Sequence, residues 1–383
     1  MPCRIREHCE AVIYLDAAAT GLHKPPGVAA AMVEAMATMG NSGRGAHHHA
    51  MAAARCVYNG RRVVGSFFGA SAEQVAFTSG ATEGLNMAIK GLLQKDDHVI
   101  TTVLEHNAVL RPLHPYHTSV IPLAANGDLD YAAFPKALTP KTKAVVITTA
   151  SNLTGLVVDI PFVQDFCRRH GLLLIVDAAQ TAGLVPITMG QGIDVLCFTG
   201  HKALLGPQGI GGMCVAKGLA ISPQKQGGSG TDSFSPSHPT IMPDALEAGT
   251  LNIPGIAGLT AGITYVQTID PAVAQNLAEH FHKGVSAIPG VVVYSRQHLP
   301  HVPIVALNIG DMDAAEGEYI LSDGYGISVR GGAHCAPLMH QALDTVKQGA
   351  LRFSFSHGNT LAEVDQAIQA LWDMAKGGTS WPE

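Results

Sequence analysis

Charge is scarce in this chain. Of its 383 residues only 14% are Asp, Glu, Lys or Arg, and 30 acids against 24 bases leave a net charge of −6. That balance argues against a nucleic-acid binder, which carries a basic face. Long apolar runs are missing as well. Stretches such as Leu172 to Val176 stop far short of the ~20 residues a bilayer span requires, so no membrane partner is expected. The opening run Ala11 to Leu15 is closed by Asp16 and is too short for a signal-peptide core, and a cytoplasmic location is the expectation. Cysteine is thin: seven residues, widely scattered, with no CxxC pair. An odd, dispersed set is not a disulfide framework and leaves at least one thiol free. Aromatics supply only 5% of the chain, so its 47% hydrophobic content is mostly aliphatic. That much apolar side chain excludes intrinsic disorder. The 42 glycines suit close helix–sheet packing and tight strand-to-helix turns. The length predicts two or three compact units.

No low-complexity linker divides the chain, and no internal repeat stands out. Short β-rich runs alternate with helical stretches instead. Strands are expected at Val75 to Thr78, His98 to Thr102, Ser119 to Pro122, Ala144 to Thr149, Leu172 to Asp177, Val195 to Thr199 and Gly212 to Val215. Helices are expected at Gly84 to Gln94 and Ile160 to His170. Strands apolar throughout, separated by helices, predict an α/β fold with a buried, mostly parallel sheet sandwiched by helices. In such sheets chemistry gathers at the carboxyl ends of the strands. After about Gly255 the texture changes. A long helical stretch from Leu259 to Val285, interrupted near Pro271, leads to strands at Val291 to Tyr294, Ile304 to Ile309, Val329 to His334 and Ala350 to Ser354. A closing helix runs from Leu361 to Ala375. The expected division is a large domain over 26–255 and a smaller α+β domain from 1–25 and 256–383.

Three segments carry chemistry. In FTSGATEGLN a strand ends at Thr78, and a small-residue turn leads into a helix. Free N–H groups at a helix start, with a hydroxyl beside them, suit a phosphate; an ordinary capped turn has the same pattern. In LLLIVDAAQTAG a buried strand ends in Asp177. A buried acid there needs a cationic partner, such as a protonated heterocyclic nitrogen, or else caps the following helix. In DVLCFTGHKALLGPQGIGG a strand ends at Thr199 and His201-Lys202 follow. A Lys with an enclosed stem has a lowered pKa and attacks carbonyls, whereas most single lysines are exposed. Together the three supply a phosphate anchor, a pyridinium partner and a Schiff-base amine, the fittings that pyridoxal 5′-phosphate requires. Neither GxxxxGK[ST] nor GxGxxG is present, which disfavours a nucleotide-binding oxidoreductase.

The motifs resemble those of the class V aminotransferase superfamily, in its cysteine desulfurase and selenocysteine lyase branch. SGATEGLN, EHNAVLRP, SNLTGLVVDI, VDAAQTAG, TGHKALLGPQGIG, EAGTLN, VRGGAHCAP and RFSFSHGNT occur in the family's order, and YLDAAATG opens the likeness. The resemblance implies a fold type I pyridoxal-phosphate enzyme. Lys202 would anchor the cofactor aldehyde, Asp177 would pair with its ring nitrogen, and Gln180 would hydrogen-bond its phenolic oxygen. His106 would stack on the ring and assist proton transfer. Phosphate contacts would come from Ala81, Thr82, Thr199 and His201, with Thr250 reaching across a homodimer interface. Asn152 and Arg352 would bind the substrate carboxylate. Cys335 would be the nucleophile, with Arg330 and His334 flanking it so that a nearby cation favours the thiolate, and Arg330 would contribute to substrate binding. Arg44 and His47 match residues near the entrance to the site.

The implied reaction converts L-cysteine to L-alanine, leaves a persulfide on Cys335 and passes sulfur to an acceptor protein. Selenocysteine lyase, or another C–S lyase acting on the same scaffold, is the alternative, with L-selenocysteine as substrate. A non-catalytic sulfur-carrier partner or scaffold is a second rival, and the intact Lys202, Asp177 and Cys335 speak against it. One departure is Ala333, which stands where the branch with a short cysteine loop commonly has a second histidine. Cys56, Cys167, Cys197 and Cys214 read as packing residues, and Cys3 and Cys9 have no assigned role. The run His47-His48-His49 is not expected to bind metal, because consecutive helical residues point in different directions.

Overall fold

The computed structural model describes residues 12–43, 45–230 and 233–377, so Cys3, Cys9 and Arg44 lie outside the described residues. The chain opens with β1 (Ile13–Tyr14), α1 (Pro26–Thr38) and α2 (His48–Phe68). A large sheet is then laid down by β2 (Val75–Thr78), β3 (His98–Thr102), β4 (His117–Ile121), β5 (Thr142–Thr148), β6 (Leu173–Asp177), β7 (Val195–Thr199) and β8 (Gly211–Val215). Its connecting helices are α3 (Ala81–Leu92), α4 (Asn107–Leu113) and α5 (Ile160–His170).

Apart from the largely exposed edge strand β4, these strands are apolar on both faces, and both faces are covered. Phe77, Ile100, Val145, Leu174 and Phe198 join one core, which includes Phe68 of α2 and Phe166 of α5. Their sequence neighbours Ala76, Val99, Ala144, Ile175 and Cys197 join another, which includes Leu85 and Ile89 of α3. Alternation of side chains along a strand delivers this split, and a two-sided apolar strand is stable only between two helix layers. The strand order is β2-β8-β7-β6-β5-β3-β4. All neighbours are parallel except those of β8, which runs against both β2 and β7. Six strands therefore point their carboxyl ends to one edge.

The expected α5 is found residue for residue, because its punctuation is local. The Asp159 carboxylate accepts the Phe162 N–H at 3.0 Å, Pro161 occupies the first turn, and Gly171 takes a left-handed φ of 63° to stop the helix. The helix expected from Gly84 begins three residues earlier, at Ala81. Helix α4 was not expected at all. It is short, contains Pro112 and starts at a His106 cap, none of which gives an apolar period to read.

Beyond the large sheet come α6 (Ile253–Val266), α7 (Ala272–Ser286), β9 (Val291–Val293), β10 (Ile304–Ile309), α8 (Ala314–Tyr325), β11 (Ile327–Ser328), β12 (Arg330–Gly332), α9 (Pro337–Ala342), β13 (Ala350–Ser354) and α10 (Leu361–Ala375). β12, β13, β10 and β9 form an antiparallel sheet, while β1 pairs in parallel with β11. Ile13 and Leu15 pack in one core with Phe281, Leu307, Phe353 and Leu371, so the opening segment folds back onto the last hundred residues. Helix α6, expected with that second sheet, packs on α1 and α2, and Ile256, Leu259 and Ile263 join the core under the large sheet. A Cβ on Gly262 would lie 2.5 Å from the Leu204 carbonyl, so α6 presses directly on the turn after Lys202.

A buried ion pair ties the segment before α6 to α2. Arg61 Nη1 donates to Glu247 Oε1 at 2.8 Å, and the same oxygen accepts the Phe77 N–H at 2.7 Å. Both side chains are at most a tenth exposed. Removing one partner strands the other charge in the core, at a cost of roughly 3–5 kcal/mol. Glu247→Leu is expected to lose about that much stability in urea unfolding, and the Arg61→Met/Glu247→Leu double variant to regain most of it. Equal losses in both proteins would show that the pair's charge is not what holds this segment.

Candidate active site

The six like-directed strands bring their last residues to one rim, and a cavity of about 560 Å³ opens there. Thr78 of β2 leads to Ala81 and Thr82. β3 leads to His106, β5 to Asn152, and β7 to His201 and Lys202. Asp177 is the last residue of β6, and Thr199 the last of β7. The second sheet closes the other side with Arg330 of β12, Arg352 of β13 and the turn holding His334 and Cys335. Gln180 also faces this space. Every expected site residue thus lines one cavity except Thr250, which is exposed and lies outside the cavity of its own chain. His47 is elsewhere in use: it caps α2, its Nδ1 accepting the Ala50 N–H.

Burial sets the protonation of the cavity. Lys202 is enclosed, and desolvation brings its amine down to about 8, against a smaller opposing pull from Asp177. Burial raises the Asp177 carboxyl, while a 2.9 Å bond from the Ala179 N–H to Oδ1 and the nearby Lys202 act in the other direction. His106 is held at about 4, first by desolvation and then by Lys202, Arg352 and Arg111. Its Nδ1 accepts the Ala108 N–H at 2.9 Å, so the neutral ring carries its proton on Nε2. His201 also sits near 4 and His334 near 3, both chiefly through burial. The cation expected beside Cys335 therefore does not come from His334 at neutral pH; Arg330 is the charged flanking residue.

Several polar groups in the cavity wall lack a partner. Asn152 Oδ1 and His201 Nδ1 are buried without a hydrogen bond, as is Arg352 Nε. The N-terminus of α3 has Gly80 as its cap, with no side chain on its first N–H groups. A buried polar wall left open in this way fits a ligand with an anionic end and several hydrogen-bonding atoms. One amide N–H of Asn152 donates to the His334 carbonyl at 2.7 Å. The Asn107 N–H donates to the Cys335 carbonyl at 2.8 Å. The cysteine turn is thus pinned through its backbone to the start of α4 and to the loop after β5, and Cys335 itself is exposed. His334 and Cys335 both take left-handed backbone, with φ of 50° and 54°. Non-glycine residues rarely adopt that conformation without a constraint.

Three contributors were missed in the sequence. Asp16 accepts from Arg352 Nη2 at 2.8 Å and from Arg330 Nε at 3.2 Å. Its signal was available: an acid closing an apolar strand, the argument applied to Asp177. Glu105 is fully buried beside His106, accepts the Thr148 N–H, and is raised to about 8 by desolvation. Lys24 donates from Nζ to the His201 carbonyl at 2.7 Å, and the same oxygen accepts from Gly21 N–H and Thr20 Oγ1. Nothing local in the sequence marks these last two: Lys24 meets the distant His201 carbonyl, and Glu105, although Thr102 bonds it locally, is buried against the distant Thr148. Cys167, Cys197 and Cys214 are buried as expected, and burial pushes the thiols of Cys167 and Cys214 up to about 12.

The depressed amine gives a direct test. Below pH 8 Lys202 is protonated and cannot attack a carbonyl; above it the free amine can. In protein stripped of any carbonyl compound bound to Lys202, reductive methylation with formaldehyde and borohydride, read by peptide mass spectrometry, should modify Lys202 with a rate that climbs through about pH 8. A midpoint near 10, like that of exposed lysines, would contradict the enclosed setting.

The sequence matches the family described as aminotransferase class-V over residues 13–367. A protein of Methanothermobacter thermautotrophicus named probable cysteine desulfurase is 32% identical, the alignment covering 98% of this chain and 96% of that one. A cysteine desulfurase of Cereibacter sphaeroides is also 32% identical, over 94% of each. Among solved structures, the apo cysteine desulfurase of Thermococcus onnurineus superposes with a TM-score of 0.88 at 29% identity, covering 96% of this chain and 95% of that one. The cysteine desulfurase CsdA of Escherichia coli gives 0.85 at 29% identity, with the same coverage. Alignment of this kind, end to end in both sequence and fold, makes the chain a member of the class-V aminotransferase family.

Proposed function

We propose that this protein is a pyridoxal-phosphate-dependent cysteine desulfurase, working on L-cysteine and handing its sulfur to an acceptor protein. One observation carries the reading: an enclosed lysine, a buried strand-end acid, an arginine and an exposed cysteine face one cavity. The desulfurases aligned above support it. The residues fit the cofactor. Ala81, Thr82, Thr199 and His201 would hold its phosphate at the uncapped start of α3, Asp177 its ring nitrogen, Gln180 its phenolic oxygen and Lys202 its aldehyde. When bound, pyridoxal phosphate supplies an electron sink conjugated to the substrate's Cα.

Arg352 would bind the substrate carboxylate through N–H groups not committed to Asp16 or to the Asn152 carbonyl, since guanidinium and carboxylate match as planar forks. Asn152 has a second amide N–H beyond the one given to the His334 carbonyl, and that donor would orient the same carboxylate. Lys202 Nζ takes the proton from Cα, and its lowered pKa suits a base working near neutral pH. Neutral His106 lines the cavity where the ring would lie and would offer it Nε2–H as a donor. Cys335 Sγ then attacks the sulfur of the substrate. An S–S bond forms as the C–S bond breaks, the electron pair stays with carbon and is protonated, and alanine leaves with a persulfide on Cys335. Arg330 lines the cavity on the same side as that thiol. Thr250, exposed on its own chain, would serve the phosphate of a second copy in a homodimer. A cytoplasmic location accords with this chemistry.

Cys335→Ala should keep the visible absorption band of the bound cofactor and lose at least about a hundredfold in alanine formation from L-cysteine. Unchanged alanine output would remove Cys335 from the reaction. Lys202→Ala should lose the resting band altogether. L-selenocysteine, assayed beside L-cysteine, separates the alternative: a selenolate leaves more readily, so a lyase retains activity with Cys335 replaced.

A further inference from the structure

Arg330 and Arg352 are directly opposed residues on the antiparallel strands β12 and β13. Like charges facing one another across a strand pair repel. Asp16 answers both, with one carboxylate oxygen on each guanidinium. It comes from the other end of the chain, from the segment after β1 that bridges to Ser354 of β13. The three residues differ in exposure. The Arg352 and Asp16 side chains are 4% and 8% exposed, and that of Arg330 is 51% exposed. Arg352 is thus a buried cation whose only ionic partner among the described residues is Asp16, and its Nε has no partner at all. Both arginines line the cavity, whereas Asp16 stands behind them.

The charge balance is simple. Two guanidinium groups and one carboxylate leave a single positive charge, which one substrate carboxylate would match. Without Asp16 the buried Arg352 would lack a counter-ion, and an incoming carboxylate would regain that loss on binding. With Asp16 in place, part of the attraction is already satisfied before any ligand arrives.

We infer that Asp16 is an affinity-setting residue: its carboxylate competes with that of the bound amino acid for Arg352 and keeps substrate and product from being held too tightly. The inference rests on the reading of Arg352 as the carboxylate site. Its consequence is for turnover, because a product that shares the substrate's carboxylate leaves only as fast as that hold allows.

L-alanine titrated into the holoenzyme, followed through the visible band, measures the hold. Asp16→Asn keeps the size and one acceptor but removes the charge, and is expected to bind L-alanine about tenfold more tightly, equal to about 1.4 kcal/mol. Asp16→Asn/Arg330→Met restores the net charge and should return to within about twofold of the parent. Weaker binding by Asp16→Asn, or a double variant no different from it, overturns the inference; Asp16 would then only prop Arg352 in place. Should Asp16→Asn not fold, Arg330→Met decides alone. It leaves Asp16 wholly to Arg352 and should weaken L-alanine binding, and unchanged or tighter binding overturns the inference. Arg352→Met is the separate control. If it binds L-alanine as the parent does, the carboxylate site lies elsewhere, and it is that assignment which fails.

Discussion

Strand direction is the constraint from which the rest follows. Six strands of the large sheet end at the same edge, so residues separated by a hundred positions in sequence arrive within one cavity. Thr78, Thr148, Asp177 and Thr199 are all last residues of strands, and His106, Asn152 and Lys202 follow within four residues of such an end. A parallel sheet with both faces under helices has no other place for polar chemistry, because its faces are sealed by Phe, Leu, Ile and Val. The second sheet need only supply a lid of different character, and it does so with two arginines and a cysteine turn.

Placing so many ionisable groups in and beside one enclosed space shifts them toward their uncharged forms. Three histidines fall to about 4 or below, and Lys202 to about 8, while Glu105 rises to about 8. Desolvation is the leading cause in each. Arg352 cannot follow, because a guanidinium keeps its proton even where burial lowers its pKa. It therefore needs a permanent counter-ion, and Asp16 fills that need from 336 residues away. Asp177 poses the reverse problem, a buried acid with a lysine nearby and a protonated heterocycle as its natural partner. The cavity holds compensated charges at its two ends and neutral donors between them.

How much of this could be read from sequence depended on range. The strands at Val75 to Thr78, His98 to Thr102 and Val195 to Thr199 have the expected bounds, as does α5, because apolar runs and local caps define them. Asp177 and Lys202 were legible for the same reason: each breaks an apolar strand end with a charge. His106, Asn152, Arg352 and Cys335 required the family resemblance, since a lone polar residue in a loop has no local signature. Glu105 and Lys24 escaped because what they meet, the Thr148 N–H and the His201 carbonyl, is distant in sequence, whereas Asp16 had a local signal and only its two arginine partners were hidden. Helix α6 shows the same limit. Its change of texture after Gly255 suggested a new unit, yet its apolar face belongs to α1 and α2, a pairing no periodicity reveals.

The cysteine turn joins these threads. A thiol that accepts sulfur must reach into the cavity and afterwards offer that sulfur outside it. A residue buried like Cys197 could do neither, for burial keeps such a thiol protonated and out of reach. Cys335 is exposed, yet its turn is not loose: its carbonyl is held by Asn107, the preceding carbonyl by Asn152, and His334 Nε2 lies 2.8 Å from the Ala350 carbonyl. These anchors all bind the backbone or the neighbouring ring and leave the sulfur free, which is how left-handed backbone at two successive non-glycine residues can persist. Two of the three anchors come from segments that follow strands of the large sheet, Asn107 after β3 and Asn152 after β5, and Asn152 lies on the cavity wall. The position of the thiol is therefore set by the same strand ends that set the lysine, although the cysteine belongs to the other sheet.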